Sequence, residues 1–94
     1  MNDILYKFLE WTNEYGNQEL VKEKFIQRKI SYELYEEIRQ STAEQNLITG
    51  VINTIDGYFI PNDTTLTFKG VMLYKTLNEK KKKNNLEIRL YNRS

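Results

Sequence analysis

Residues 47–74, LITGVINTIDGYFIPNDTTLTFKGVMLY, carry the local signals that decide the fold. Two short apolar runs flank the pair Asp56-Gly57, and Thr67 precedes a segment with helical spacing. Asp-Gly between apolar runs is a strong signal for a two-residue β-hairpin, because such a turn needs positive φ and glycine adopts it without steric cost. Thr67 can accept a hydrogen bond from a free N–H of the next turn, so a capped helix should follow. The predicted strands are residues 50–54 and 58–60, and the predicted helix is residues 68–82.

Three further helices are predicted before this stretch. Their apolar residues recur at steps of three and four, which is the period of a helix with one buried side. Asn17 and Ser31 are N-cap candidates, whereas Gly16 and Asn46 are suited to the left-handed conformation that ends a helix. The first helix is placed after a cap at Asn2 or Asp3 and runs to residue 15, and the next two helices are placed at residues 18–28 and 32–45. The predicted fold class is therefore α+β: a winged helix-turn-helix with three N-terminal helices, a hairpin wing, a fourth helix and a short C-terminal strand or helix, all in one domain spanning residues 1–94.

Residues 86–91 leave two alternatives open. Leu86 to Tyr91 alternates apolar and polar residues with period two, which favours a strand after a break at Asn84-Asn85, although a short helix also fits. A strand here would extend the local sheet or pair with the same strand of a second molecule. The second arrangement would make a homodimer through the C-terminal segment.

The composition argues against several classes of function. The chain of 94 residues has neither Cys nor His, so it lacks a thiol nucleophile, the commonest general base and the commonest zinc ligand. No apolar run approaches the ~20 residues that a membrane span requires. The absence of Cys is compatible with a reducing cytoplasm, which is the expected location. We therefore expect no cofactor, no metal site and no membrane partner.

Paired carboxylates are the remaining candidates for catalysis. Glu33 lies one turn from Glu36 and Glu37, and Asp56 and Asp63 bracket the second predicted strand. Such pairs can perform acid–base chemistry only in a cleft that shifts their pKa values. Positions on an outward helix face and in turns explain these residues without catalysis. The prediction is that the protein is not an enzyme.

Charge is distributed unevenly along the chain. Residues 1–68 contain 6 basic and 11 acidic side chains, whereas residues 69–94 contain 8 basic and 2 acidic side chains. Attraction to a polyanion should therefore reside in the last quarter, where Lys80, Lys81, Lys82 and Lys83 follow one another. The alternative is that these lysines solvate the end of a helix, where positive charge also complements the helix dipole.

The third predicted helix would be the recognition helix of a DNA-binding protein. Arg39 and Gln40 could read guanine and adenine edges. However, the helix carries four glutamates and one arginine, and carboxylates oppose phosphate contacts. An ordinary solvated helix face is therefore the favoured alternative. The outward residues of the third helix are predicted as Tyr32, Glu33, Glu36, Glu37, Arg39, Gln40, Ala43 and Glu44.

The fourth helix is predicted to bury Phe68, Met72, Leu73 and Leu77.

The sequence resembles a known family in about half of its length. The resemblance rests on three parts of the sequence: the Ser-capped third helix with Tyr35 and Ile38, the segment NLITGV at residues 46–51 that follows this helix, and the segment LTFKG at residues 66–70. In these parts the chain is similar to small winged-helix proteins of bacteria and phages, in particular the YjcQ-like phage proteins. The resemblance implies a winged-helix fold and a phage or mobile-element origin, but no enzymatic activity. The sequence departs from the family in its short wing, its lysine tract and its tail.

Two functions from different classes are compatible with these observations. The first is a nucleic-acid-binding regulator, which would bind DNA. The second is a protein-interaction module, such as a phage factor that docks on a host or phage protein, indicated by the acidic third helix and the apolar hairpin. A continuous positive surface would favour the first, and an acidic face beside an apolar patch would favour the second. The predicted nucleic-acid-binding residues are Arg39, Gln40, Asn53, Thr54, Lys80, Lys81, Lys82 and Lys83.

Overall fold

Four helices and one antiparallel hairpin form the part of the chain that the computed structural model describes, which is the backbone of residues 2–92 and the side chains of residues 3–82. This α+β arrangement is compatible with a winged helix. The order of elements is α1 (Asn2–Tyr15), α2 (Gln18–Gln27), α3 (Tyr32–Glu44), β1 (Ile52–Thr54), β2 (Gly57–Phe59) and α4 (Phe68–Asn92).

Local capping residues set most helix boundaries, as predicted. The side chains of Asn17 and Ser31 each accept a 3.2 Å hydrogen bond from a backbone N–H in the first turn of α2 and α3. Gly16 and Asn46 have φ of 59° and 60°, so both adopt the left-handed conformation that ends a helix. Thr67 caps α4, because its Oγ1 accepts a hydrogen bond from Gly70 N at 3.1 Å.

An aromatic cluster joins the first three helices. Phe25 of α2 lies edge-on to Trp11 of α1 and to Tyr35 of α3, with ring centroids 5.5 and 5.3 Å apart. Phe8 of α1 lies 6.3 Å from Phe25 and 6.2 Å from Tyr35. Edge-to-face pairs at these distances add stabilisation beyond the buried area. The cluster is continued by the buried side chains of Leu9, Val21, Ile38, Ala43, Leu47, Ile48, Ile60 and Leu66.

The fourth helix packs along the first. Tyr6 stacks on Tyr74 with ring centroids 5.5 Å apart, and its hydroxyl donates a 2.9 Å hydrogen bond to Asn78 Oδ1. At the start of α4, Gly70 approaches the backbone of Leu47 so closely that a Cβ on Gly70 would lie 2.2 Å from the Leu47 carbonyl oxygen. Only a residue without a side chain allows this approach.

Of the two alternatives for residues 86–91, the favoured strand is absent and the segment is helical, although it is the end of α4 and not a separate short helix, since α4 continues without a break to Asn92. Asn84 and Asn85 lie inside this helix. An interior Asn costs at most about 0.7 kcal/mol relative to Ala, and neither Gly nor Pro occurs beyond Gly70. Pairing of two C-terminal strands therefore has no basis in this structure.

Two residues of α4 and one residue of α3 face the opposite way from the prediction. Phe68 and Met72 are 82% and 48% exposed, not buried. Both lie two residues from Gly70, which corresponds to about 200° around the helix axis. Because Gly70 faces Leu47, their side chains point away from the core. Leu73 and Leu77 pack partly buried against the core, as expected. Ala43 of α3 is buried rather than outward.

The hairpin exists, but its turn lies one residue earlier than predicted. Thr54 pairs with Gly57, so the two loop residues are Ile55 and Asp56. Neither has positive φ, which excludes a type I′ turn; Gly57 begins β2 with φ of 141°. The first strand also begins later than predicted, since Gly50 at φ of 75° turns the chain just before it.

Candidate functional site

The hairpin is attached to α3 by one side chain. Gln40 Nε2 donates to the Tyr58 carbonyl oxygen at 2.9 Å, and Tyr58 N–H donates to Gln40 Oε1 at 3.0 Å. Both polar ends of the carboxamide are therefore bonded to the backbone of β2. The predicted adenine-reading residue has a structural partner, and it could make a bidentate contact with adenine only after these two bonds had broken.

Arg39, the predicted guanine-reading residue, is also engaged within the domain. Its Nη1 pairs with Glu36 Oε1 at 2.6 Å, and its Nη2 donates to the Ile60 carbonyl oxygen at 3.1 Å. The guanidinium lies 5.9 Å from the centre of the Tyr35 ring. Its Nε is buried without a hydrogen-bond partner among the described residues. Arg39 thus links α3 to the residue that follows the hairpin.

Tyr35 lies beneath Arg39 with its hydroxyl in the core. The hydroxyl lies 3.2 Å from the backbone oxygen of Gln18 and 3.1 Å from its side-chain Oε1, so it donates to these acceptors. Burial raises the pKa of Tyr35 to about 12, an increase that Glu36 reinforces and Arg39 opposes. The phenol therefore stays neutral at physiological pH and serves as a hydrogen-bond donor rather than a base.

The hairpin presents an apolar outer face to solvent. Ile52 and Phe59 are cross-strand partners, so their side chains stand on the same face of the sheet. They are 59% and 56% exposed, and Ile55 at the tip is fully exposed. Tyr58 stands on the opposite face and packs against the core. We use the term outer face for Ile52 and Phe59.

A broad groove of about 500 Å³ separates the hairpin from α3. Tyr58 and Gly57 form its hairpin side. No Lys or Arg occurs between residues 40 and 68, whereas Glu44, Asp56 and Asp63 do. The groove is therefore acidic at its rim. The α3 side is lined by Glu36, Glu37, Gln40, Ser41 and Glu44.

The carboxylates weighed for catalysis lie in these same elements. Glu36 is committed to Arg39, whereas Glu33 and Glu37 are exposed on α3. Asp56 lies at the hairpin tip and Asp63 in the turn after Pro61, and both are exposed. Glu33, Asp56 and Asp63 are thus in contact with water, and Glu37 lines the open groove between the hairpin and α3.

The other predicted binding residues lie in two separate places. Asn53 and Thr54 are exposed on β1, and Thr54 Oγ1 donates to the Gly57 carbonyl oxygen at 3.0 Å. Lys80, Lys81 and Lys82 are exposed on α4, whereas the side chain of Lys83 lies outside the described part. Lys81 Nζ lies 5.0 Å from the ring centre of Tyr6 in α1. Because Lys80 follows Gly70 by ten helical residues, the lysines begin about 15 Å along α4 from the contact with Leu47.

Within residues 2–92, no helix has the length and hydropathy needed to cross a bilayer. In the same part of the chain, Asp and Glu nowhere gather in a group of three or more that could hold a metal ion.

Comparison with known proteins returned no match: no family model, no curated protein and no solved structure is similar to this chain at a significant level. The likeness to YjcQ-like proteins therefore stays a prediction.

The sequence indicated the apolar hairpin but not the role of Gln40. Dense apolar residues around Asp56-Gly57 indicated either a hairpin covered on both faces or an exposed apolar patch, and the structure shows that Ile52 and Phe59 are exposed. By contrast, a glutamine on an amphipathic helix has no local signal that distinguishes a bond to a strand 18 residues away from exposure to water.

Proposed function

We propose that the protein is an interaction module that binds a partner protein through the outer face of its hairpin. The observation that carries this proposal is the exposed cross-strand pair of Ile52 and Phe59. The solvated face of an antiparallel sheet is normally polar. A large aliphatic and an aromatic side chain directly opposite each other are therefore better explained as contacts for a partner.

The energetics of burial support this use of the outer face. Full burial of a side chain such as Ile52 or Phe59 contributes about 1.5–3 kcal/mol. Aromatic side chains are also enriched among the few interface residues that carry most of the binding energy. In the free protein this contribution is largely unrealised, because more than half of each side chain is exposed.

Electrostatics favour a protein partner over DNA at this surface. From residue 40 to residue 68, which includes the end of α3 and the whole hairpin, there are three acidic and no basic residues. Phosphate contacts supply much of the affinity of nucleic-acid-binding proteins. A duplex held between α3 and the hairpin would meet carboxylates instead.

Capture from bacterial host lysate, with and without nuclease, tests the proposal. We expect the parent protein to capture a partner in both conditions. The double variant Ile52→Ser, Phe59→Ser should lose this capture while keeping the parent's fold, because both side chains point into solvent. Phe68→Ser is the matched control, since it removes an aromatic side chain that is 82% exposed on α4. Equal capture by all three proteins would contradict the proposal.

Nucleic-acid binding is the second candidate, and one observation favours it. Lys80, Lys81 and Lys82 are exposed on successive positions of α4. A phage or mobile-element regulator of this kind would bind phosphate through α4 rather than through α3. Capture that disappears on nuclease treatment would favour this candidate.

A further inference from the structure

The two outer edges of the hairpin differ in whether they are covered. Gln40 makes both hydrogen bonds to the backbone of Tyr58, so its carboxamide occupies the place of a neighbouring strand at the β2 edge. A further strand therefore could not pair with β2 at Tyr58 without displacing Gln40. Among the residues that the structure describes, nothing makes such bonds to the edge of β1.

The register shows which backbone groups point out of the β1 edge. Thr54 and Gly57 flank a two-residue loop, so they form a hydrogen-bonded pair, and pairs alternate along an antiparallel hairpin. Asn53 and Tyr58 are then a non-hydrogen-bonded pair whose N–H and C=O groups point outward. The bonds from Gln40 to Tyr58 agree with this assignment. Among the described residues, no group bonds to the backbone N–H or C=O of Asn53.

We infer that the edge of β1 pairs with an extended segment of the partner protein at Asn53. This inference rests on the proposed function and specifies how the partner binds. An added strand would receive one hydrogen bond from Asn53 N–H and donate one to its carbonyl oxygen, while its alternate side chains would lie beside Ile52 on the outer face. The edge and the outer face therefore belong to one binding surface.

Charge selects the kind of segment that fits. Residues 45–55 contain no charged side chain, so this edge offers no ion pair to a charged segment, and the segment that fits best is uncharged with apolar residues at alternate positions. A second copy of this chain is not the occupant. Its own edge offers three residues, and pairing two such edges buries far less than the ~1,200 Å² of a standard interface. A longer segment can continue past β1 to the exposed Ile55.

The test uses a displayed library of random twelve-residue peptides selected on the parent protein. Two variants separate backbone pairing from side-chain contact. Asn53→Pro removes the outward N–H, while the bonds within the hairpin, made by Ile52 and Thr54, stay intact. Asn53→Ala keeps the N–H and is the control. We expect the best peptides to bind Asn53→Pro at least about tenfold more weakly and Asn53→Ala within about twofold.

A second measurement does not depend on the fold of any variant. The best peptide is synthesised twice more, each time with one of the two alternate sets of backbone amides N-methylated, which removes the donors of that set. We expect one of these two peptides to lose its binding to the parent protein. The unmodified peptide should shift the amide resonances of Asn53 and Thr54. Peptides that bind Asn53→Pro as tightly as the parent, or that keep their binding when either set of amides is methylated, would overturn the inference of strand pairing but not the proposed function. Absence of any binder would count against the proposed function as well.

Discussion

The carboxamide of Gln40 makes two hydrogen bonds to the backbone of Tyr58, accepting from its N–H at 3.0 Å and donating to its carbonyl oxygen at 2.9 Å. One side chain of α3 thus fixes the position of the hairpin relative to the helix. Because the side-chain amide copies the donor and acceptor of a peptide group, it satisfies both backbone groups at once. The hairpin itself has only three residues in each strand, so this link matters for its order.

Replacing Gln40 by Ala should loosen the hairpin and expose the Tyr58 amide. We expect a loss of about 1–3 kcal/mol in the free energy of unfolding, because two backbone groups lose their partner. The measurement is hydrogen exchange of the Tyr58 amide together with a thermal melt. Gln45→Ala is the control, since the side chain of Gln45 donates to the exposed Ser41 hydroxyl and not to the hairpin. Unchanged exchange at Tyr58 in Gln40→Ala would refute the link.

Replacing Gly70 by Ala should destabilise the fold, although helix propensity alone would favour Ala by up to about 1 kcal/mol. The new Cβ would lie 2.2 Å from the Leu47 carbonyl oxygen, so α4 must move away from the core. We expect a net loss of about 1–3 kcal/mol in the free energy of unfolding by urea denaturation. Lys75→Ala, at an exposed position of α4, should be nearly neutral. A Gly70→Ala protein as stable as the parent would show that this close approach does not exist.

Replacing Gly57 by Val should cost about 1–3 kcal/mol, for two separable reasons. Its φ of 141° disfavours any side chain, and a Cβ would lie 3.0 Å from Gln40 Oε1. Gly57→Ala made in the parent and in Gln40→Ala separates these causes, because removing Gln40 relieves the contact but leaves the backbone strain. Thermal melts of the four proteins give the coupling between the two sites. Melting of Gly57→Val at the parent's temperature would mean that the hairpin has another register.

Replacing Lys80, Lys81, Lys82 and Lys83 by Gln should leave the fold intact, since α4 extends past these positions and Gln is nearly as good a helix former as Lys. If the nucleic-acid candidate is correct, non-specific affinity for DNA should fall and the slope of log K against log salt should flatten by up to about four. Fluorescence titrations at several salt concentrations measure both. A parent protein that binds no DNA at low salt would eliminate that candidate.

Stability should decrease as the pH rises above about 10, partly because of Tyr35. Burial raises its pKa to about 12 in the folded protein, above the ordinary value of 10.0 that applies to the unfolded chain. The unfolded state therefore loses its proton first, and stability that is fully present below pH 10 is lost progressively between about pH 10 and 12. Urea denaturation across this range should show a shallower decrease for Tyr35→Phe than for the parent. Tyr32→Phe, at an exposed tyrosine, should keep the parent's slope.

Local chemistry made the helices predictable. Each helix cap at Asn17, Ser31 and Thr67 precedes a periodic apolar segment, and Gly16 and Asn46 follow the helices that they end. These positions could be predicted because each effect acts within one turn of the chain. The core aromatic residues of α1 to α3 followed from the helical period. The winged-helix class and the resemblance to phage proteins stay predictions beyond this α+β architecture.

Contacts between distant parts of the chain explain what could not be predicted. The rotation of α4 is set by Gly70 against Leu47, so a period-based choice placed Phe68 and Met72 on the wrong side. The continuation of α4 past Asn84 was missed because alternation over six residues fits either a strand or a helix. The engagement of Gln40 with Tyr58 depends on the packing of the hairpin and has no counterpart in the local sequence.

The hydrogen bond from Tyr6 to Asn78 joins residues 72 positions apart and has a consequence for the kinetics of folding. The chain must close a loop of that length before α1 and α4 can pack, and the entropy cost of closure grows with loop length. Contacts of such separation raise the contact order, which correlates with slower folding. Despite its helical content, this domain should therefore fold more slowly than a bundle in which each helix packs on its sequence neighbour.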